Sequence, residues 1–198
     1  MRYRKKFVLR TCLNRSQFDH MNKNTSWGND AGELSKMKIV IIDDEPVNVA
    51  LLEDILEENS YTRFESITDS TAALEACKKF RPDLVLLDLM MPPPDGFTIL
   101  ETLRGDPDEI FLPVVVLTAD TNEKTKRRAL AAGATDFLLK PFDHIEVALR
   151  IRNLLESRRA HLLLDNQRAA LEDAVRERTA ELRATIARLE QQSEMQRA

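Results

Sequence analysis

Five polar side chains, each directly after a short apolar run, could together perform one reaction. They are Asp43 and Asp44 after KIVII (38–42), Asp88 after LVLL (84–87), Thr118 after VVVL (114–117) and Lys140 after DFLL (136–139). Crowded carboxylates repel one another, and a hard cation such as Mg²⁺ relieves that repulsion while binding phosphate oxygens. An ammonium and a hydroxyl would add a positive charge and a hydrogen bond. Transfer of a phosphoryl group to a carboxylate needs this combination of positioning and charge neutralisation.

Several of these residues also have a plainer structural interpretation as helix caps. Asp44 could cap a helix that Pro46 begins, and Thr118 or Asp120 could cap the helix that follows the fourth apolar run. Asp88 has no obvious capping role, because it stands between LVLL and LMMP. The joint occurrence at the ends of alternating strands favours a shared site over separate caps.

The elements that must position these residues follow from the periodicity of the chain. Apolar runs at 38–42, 84–87 and 114–117 are typical of strands buried on both faces, and 63–67 and 136–139 are weaker strands. Helical patterns lie near 46–58, 70–80, 96–104 and 121–132; in the first, Val47, Leu51 and Ile55 share one face. Five strands alternating with helices predict an α/β fold, a doubly wound parallel sheet whose carboxyl ends meet at one edge.

Composition excludes several classes of function. Residues 37–141 contain eleven Lys/Arg and twenty Asp/Glu, so a nucleic-acid-binding core is not expected. Two cysteines do not make a disulfide framework, and no apolar run reaches the roughly 20 residues that span a bilayer. Residues 1–36 are polar and turn-prone, and they are predicted to be a flexible extension that is not a signal peptide. We therefore expect a soluble, cytoplasmic protein with no membrane contact.

The C-terminal segment differs sharply from the rest of the chain. Residues 142–198 contain neither glycine nor proline, and they are rich in Ala, Leu, Arg and Glu, which predicts one long helix. One heptad register places Leu154 and His161 at position a. Further on, the apolar residues follow a second register after a four-residue shift. The predicted seam of a parallel homodimer consists of Leu171, Val175, Leu182, Ile186 and Leu189.

The segments KIVIIDDEP, LVLLDLMMPPPDGF, VVVLTAD and FLLKPF resemble the signature segments of receiver domains from bacterial two-component response regulators. The resemblance covers about residues 37–145 and implies a flavodoxin-like fold. It divides the chain into an extension (1–36), a receiver (37–145) and a helix (146–198) that serves as a dimerising coiled coil or a linker. It also implies phosphorylation by a sensor histidine kinase or a histidine phosphotransfer protein, with Mg²⁺ as cofactor.

The same resemblance implies a role for each site residue. Asp88 would be the phosphoacceptor and would bind Mg²⁺ together with Asp43, Asp44 and the backbone carbonyl of Met90. Thr118 and Lys140 would contact the phosphoryl group, Phe137 would be the switch aromatic, and the bond between Lys140 and Pro141 would be cis. The chain departs from the usual pattern at Pro94, where methionine is common, and at Phe137, which lacks the hydroxyl of a tyrosine.

Three other functions compete with this interpretation. A phosphatase of the haloacid-dehalogenase type needs a second aspartate two residues after its nucleophile, and Met90 stands there. An inert receiver-like scaffold would not need the complete set of strand-end residues. The helical segment is similar to linkers that join receivers to HD-GYP-type cyclic-di-GMP phosphodiesterases and nucleotide cyclases, so the chain could be the N-terminal regulatory part of such an enzyme. No output signature occurs in these residues, and we expect no catalysis beyond the receiver's own phosphorylation and dephosphorylation.

Overall fold

The computed structural model describes residues 31–105, 111–120 and 122–197, with side chains from residue 32 through residue 186. Its five strands are β1 (Ile39–Ile42), β2 (Phe64–Ile67), β3 (Leu84–Asp88), β4 (Val114–Thr118) and β5 (Asp136–Leu139). All neighbouring pairs are parallel, in the order β2-β1-β3-β4-β5. The predicted five-stranded parallel sheet is thus confirmed, and the carboxyl ends of its strands share one edge.

Four helices connect the strands, and a fifth follows β5. They are α1 (Pro46–Glu58), α2 (Ala73–Phe80, after a 3-10 turn at Ser70–Ala72), α3 (Gly96–Arg104), α4 (Glu123–Ala131) and α5 (His144–Arg197). A four-residue N-terminal helix, Ala31–Leu34, precedes β1. The bounds of α1 and α3 match the predicted ranges. Helix α4 begins later than predicted because Asn122 is its N-cap and accepts a hydrogen bond from the Lys124 N–H.

Two apolar layers enclose the sheet. Ile39 and Ile41 of β1 pack with α1 and α5, whereas Val40 and Ile42 pack with α2, α3 and α4. All four side chains are fully buried, and each such side chain contributes about 1.5–3 kcal/mol by leaving water. Burial on both faces explains why the central strands are continuous apolar runs rather than alternating ones. This double covering is the doubly wound arrangement that the sequence predicts.

The face of α1 that Val47, Leu51 and Ile55 share is buried only in part. Val47 is 72% exposed, whereas Val49, Leu52 and Ile55 are buried against the sheet. Several sides of this helix carry apolar residues, so its sequence period alone does not specify the side that faces β1. The observed orientation turns Asn48 toward the carboxyl end of β1.

Helix α5 continues the receiver without interruption for 54 residues, which confirms the predicted continuity. Its first turns bury Val147, Ile151 and Leu155 in the core, and its side chains from residue 162 to residue 186 are exposed. Leu34 of the N-terminal helix is buried in the same core. Residues 1–30 of the predicted extension lie outside the described residues, and the division of the chain at residues 36 and 145 stays a prediction. Within the described part of the chain, no helix combines the length and apolar character needed to cross a membrane.

Candidate functional site

Asp43 stands directly after β1 and is fully buried. Its Oδ1 accepts a hydrogen bond from the Glu45 N–H at 3.0 Å. The Asn48 amide lies 3.1 Å and 3.2 Å from its two carboxylate oxygens. Asn48 can reach this carboxylate because Pro46, with its fixed φ, starts α1 immediately after the strand. The carboxylate is therefore held in one orientation before any ligand binds.

Asp88 is the last residue of β3 and is 4% exposed. Its Oδ1 accepts a hydrogen bond from the Met90 N–H at 3.1 Å. The backbone around Asp88 is tightly packed against the start of α3, because an added Cβ at Gly96 would lie 2.1 Å from the Asp88 carbonyl oxygen. The Gly96 N–H also donates to the Leu89 carbonyl at 3.3 Å. Helix α3 therefore fixes the position of the Asp88 backbone.

Lys140 joins the two buried carboxylates. Its Nζ lies 2.8 Å from Asp43 Oδ2 and 2.6 Å from Asp88 Oδ2. The backbone N–H of Lys140 donates to the Thr118 carbonyl at 2.9 Å. Burial of the ammonium lowers the pKa of Lys140, but the hydrogen bonds and charges of Asp43 and Asp88 outweigh burial and raise it above its ordinary value. Lys140 is thus a fixed positive charge at this site. The peptide bond to Pro141 is cis, as predicted.

Asp44 completes a cluster of three carboxylates. Asp43, Asp44 and Asp88 each place one carboxylate oxygen within 4.8 Å of an oxygen of the other two. Asp44 is exposed, whereas Asp43 and Asp88 are buried. Three carboxylates and one ammonium leave a net charge of about −2 in a small volume, which a divalent cation with a preference for oxygen ligands would balance. The donor set therefore fits Mg²⁺. The Met90 side chain is 68% exposed, and the role of its backbone carbonyl as a further ligand stays a prediction.

Thr118, the last residue of β4, is 1% exposed. Its Oγ accepts a hydrogen bond from the Asp120 N–H at 3.0 Å, so the hydroxyl proton is left for another acceptor. The capping interpretations of Asp44 and Thr118 are not supported. The N-cap of α1 is Glu45, without a side-chain bond, and the N-cap of α4 is Asn122.

Asp120 does have a local structural role at the start of α4. It accepts hydrogen bonds from the Asn122 N–H at 2.8 Å and from the Thr125 hydroxyl at 2.5 Å. These bonds keep the pKa of Asp120 below its ordinary value, with the Thr125 bond as the larger cause. The predicted helix-start role of Asp120 is therefore close to the observed one.

Phe137 lies in β5, partly buried against the layer of α2, α3 and α4. The Lys126 Nζ of α4 lies 4.7 Å from the centroid of its ring. The ring therefore stands between the sheet and α4, one strand away from Thr118.

Sequence reasoning missed three residues that shape the site. Asn48 orients Asp43, Gly96 permits the close approach of α3, and the Ser70 hydroxyl donates to the Pro92 carbonyl at 2.9 Å, which fixes the loop after Asp88. A polar residue on the buried side of α1 was a usable signal for Asn48. A glycine after three prolines and an aspartate was a weaker signal for Gly96, and nothing in the sequence indicated Ser70.

Comparison with known proteins agrees with this geometry. The family model for the response regulator receiver domain matches residues 39–152. Response regulator PleD of Caulobacter vibrioides is 37% identical over 131 residues, which are 66% of this chain and 28% of PleD. A probable cyclic di-GMP phosphodiesterase of Vibrio cholerae is 31% identical over 150 residues, which are 76% of this chain and 34% of that protein. The chain thus spans about a third or less of the length of these relatives.

A solved structure shows the same architecture. The receiver domain of the Pseudomonas aeruginosa sensor histidine kinase PA1611, with a magnesium ion coordinated in its active site cleft, is 26% identical with a TM-score of 0.56. The match covers 61% of this chain and 98% of that receiver. The family match spans every strand from β1 to β5, helices α1 to α4, the start of α5 and each residue of the site described above. The chain therefore belongs to the family of response regulator receiver domains.

Proposed function

We propose that this chain is a phosphorylation-switched response regulator in which Asp88 accepts a phosphoryl group, with Mg²⁺, from a histidine kinase or a histidine phosphotransfer protein. The observation that carries the proposal is the setting of Asp88. Its buried carboxylate is held by the Met90 N–H on one oxygen and by Lys140 on the other, beside two more carboxylates. A preoriented carboxylate with adjacent positive charge suits an in-line displacement at phosphorus.

In the proposed step, an oxygen of Asp88 attacks phosphorus and an O–P bond forms. The P–N bond to the donor histidine breaks at the same time, and the imidazole nitrogen leaves with the electron pair. With acetyl phosphate as donor, acetate leaves instead. Lys140 transfers its hydrogen bond from the Asp88 carboxylate to a phosphoryl oxygen, and the Thr118 hydroxyl donates to another.

Asp43, Asp44, Asp88 and the Met90 carbonyl would hold Mg²⁺, which would neutralise charge on the phosphoryl oxygens. The fit of three clustered carboxylate oxygens supports this assignment, as does the magnesium ion named for the PA1611 receiver. Engagement of Thr118 then opens space into which Phe137 turns. This change is a shift between two packings of one fold.

Intact-mass spectrometry after treatment with acetyl phosphate and Mg²⁺ tests the acceptor. The wild-type chain should gain one phosphate, and Asp88→Asn should gain none. Asp54→Asn, which alters an exposed aspartate on α1, is the matched control and should be labelled normally. Retention of the added phosphate in Asp88→Asn would reject the assignment of Asp88.

The same assay separates the competing functions. Stable stoichiometric labelling supports a switch, continuous release of phosphate would indicate a hydrolase, and no labelling would indicate an inert scaffold. Asp44→Asn should weaken Mg²⁺ binding and slow labelling together, because one carboxylate serves both. A slower reaction with unchanged Mg²⁺ affinity would remove Asp44 from the metal site.

The proposal also includes a parallel homodimer through α5. Leu171, Val175, Leu182 and Ile186 are between 54% and 66% exposed on one chain, and an isolated helix gains little stability without burying such a face. The side chain of Leu189 lies outside the described residues. Leu154 and His161, which the first heptad register assigns to the stripe, contact the receiver instead: Leu154 packs on the core and the His161 ring lies 4.4 Å from that of Phe111.

Light scattering at tens of micromolar tests the dimer. Leu182→Asp/Ile186→Asp should convert it to a monomer. Ala180→Asp/Ala184→Asp is the matched control, because these exposed alanines lie on the opposite side of the same turns and should tolerate the charge. A wild-type monomer under these conditions would exclude the seam.

The output is also a matter of proposal. An alternative is that the chain is the N-terminal regulatory part of a larger enzyme, such as a cyclic-di-GMP phosphodiesterase or a nucleotide cyclase. The match to the Vibrio cholerae protein supports this alternative, because it covers 150 residues, more than the family match at residues 39–152, and only 34% of that longer protein. Reading the gene beyond the codon for Ala198 tests it directly. A cytoplasmic location, with no nucleic acid as partner, belongs to the same proposal.

A further inference from the structure

Helix α4 has an unusually small apolar contact with the rest of the receiver. Of its nine residues, Ala129 is the buried one, and Leu130 is 47% exposed. A surface helix ordinarily draws its stability from a broad apolar stripe against the core. One buried alanine is a narrow stripe, so other contacts must contribute to the docking of α4.

Two contacts between cations of α4 and aromatic rings serve this purpose. The Lys126 Nζ lies 4.7 Å from the ring centroid of Phe137 in β5, and the Arg128 Cζ lies 3.8 Å from that of Phe97 in α3. Both distances are inside the roughly 6 Å over which a cation is attracted to a ring face. Helix α4 is thus attached on one side to β5, which carries Phe137, and on the other side to α3, which packs against the Asp88 backbone.

We propose that Lys126 is a positioning residue of the phosphorylation switch, whose ammonium couples the orientation of the Phe137 ring to the docking of α4. The inference rests on the proposed phosphorylation of Asp88. A cation is attracted to the face of a ring and not to its edge, so rotation of the ring breaks the contact. Phe137 carries no hydroxyl, so the quadrupole of its ring, negative on the faces and positive at the edge, is what a nearby charge can sense.

The two contacts respond differently to phosphorylation. Phe97 is 7% exposed and follows Gly96, whose backbone is packed against Asp88, so its ring stays in place. When Phe137 turns toward the space beside Thr118, α4 retains its contact with Phe97 and loses its contact with Phe137. The helix then pivots at Arg128, and its N-terminal half loosens.

A plain packing role for Lys126 gives a different expectation. Its methylene stem could cover the Phe137 ring without any contribution from the charge. Fluorinated phenylalanines at position 137 separate these roles, because one, two or three fluorines leave the ring shape nearly unchanged while draining negative charge from its face. Lys126→Met keeps the stem without the charge, and Lys126→Arg keeps both. Lys124→Met alters an exposed lysine of the same helix and is the control.

Hydrogen exchange of the α4 amides in the full chain is the measurement, before and after phosphorylation by acetyl phosphate and Mg²⁺. In the unphosphorylated wild-type background, each added fluorine should speed exchange, to a total of about two- to thirtyfold, the equivalent of one such contact. In Lys126→Met, the α4 amides should exchange as fast as in the fully fluorinated wild-type background. Neither fluorine nor phosphorylation should change that rate further. Lys126→Arg and Lys124→Met should resemble wild type.

Equal fluorine effects in the wild-type and Lys126→Met backgrounds, or none in either, would overturn the proposal. If fluorine speeds exchange of the α4 amides but phosphorylation does not, the proposed coupling between the Phe137 ring and the docking of α4 is wrong. The mass of each sample reports labelling at Asp88 separately. A wild-type chain that takes no phosphate would reject the proposed function, while the unphosphorylated series would still decide the contact.

Discussion

Substitution of Gly96 by alanine should disturb the acceptor from its backbone side. The added Cβ would lie 2.1 Å from the Asp88 carbonyl oxygen and 2.6 Å from the Leu89 Cα. Favourable contacts between heavy atoms lie at about 3.5–4.0 Å, so the new Cβ and the Asp88 carbonyl oxygen must move apart by more than 1 Å. The crowded atoms belong to the backbone, which does not move aside by changing a rotamer. Either β3 or the start of α3 must therefore shift.

The size of the effect follows from this geometry. Overpacking a close-packed interior costs about 1–3 kcal/mol, and a clash with backbone belongs at the upper end. Loss of glycine's freedom in the unfolded chain offsets about 0.4–1 kcal/mol. We expect Gly96→Ala to lower the free energy of unfolding by about 2 kcal/mol. A shift of about 1 Å at Asp88 should also slow labelling by up to about 100-fold, because it disturbs the 2.6 Å contact with Lys140.

Urea denaturation and the rate of labelling by acetyl phosphate measure the two effects. Gly105→Ala at the other end of α3 is the matched control. Its Cβ would meet the Thr102 and Glu101 carbonyl oxygens at 3.4 Å and 3.6 Å, and its φ of −75° suits alanine. This variant should be neutral or more stable by about 0.4–1 kcal/mol. If both variants had the same stability and labelling rate, the inferred role of Gly96 would be wrong.

Three further perturbations address the charges, a helix cap and α5. Lys140→Met should bind Mg²⁺ more tightly and accept phosphate more slowly, because both buried carboxylates lose their ammonium; weaker Mg²⁺ binding by calorimetry would contradict this. Hydrogen bonds from the Thr98 hydroxyl and N–H hold the pKa of Asp95 below its ordinary value of 3.8, so this cap stabilises α3 above that pH and is lost as pH falls through the lowered pKa. Asp95→Ala should therefore cost about 1 kcal/mol at pH 7 and progressively less as the pH falls below 3.8 and through the lowered pKa, and a loss independent of pH would argue against the cap. Ile151→Ala should cost about 2–5 kcal/mol in urea denaturation, and Leu164→Ala should leave the receiver's stability unchanged; similar losses would mean that both residues lie in one core.

Much of the fold could be predicted because its central strands are buried on both faces. Such strands are uninterrupted apolar runs, and prolines or glycines stand at several of their connections to the helices. The meeting of Asp43, Asp88 and Lys140 was predictable for a related reason, since parallel strands bring their carboxyl ends to one edge. Their contacts in the structure confirm that these three residues come together, while their chemical roles stay proposals.

The remainder depends on the direction in which side chains point, which periodicity does not determine. Val47 shares a face of α1 with Ile55, yet Val47 is exposed and Ile55 is buried, because several sides of that helix are apolar. Leu154 and His161 were assigned to the open stripe because a heptad count does not show which side of α5 the receiver covers. The contact of Lys126 with Phe137 could not be predicted, because a lysine in a polar helix is ordinarily solvated and its partner ring is 11 residues further along the chain.

The unbroken course of α5 makes the direction of its exposed stripe a function of residue count. Leu155 in the core and the exposed Leu164 are nine residues apart, so they point about 180° away from each other at about 100° per residue. Inserting one residue between them would turn everything downstream by about 100° and advance it by about 1.5 Å. An insertion of seven or eleven residues would restore the original direction to within about 20°, at a displacement of about 10 or 16 Å. Any domain joined after α5 would thus meet the receiver in a given orientation at only a discrete series of linker lengths, because one residue count sets both the angle and the distance.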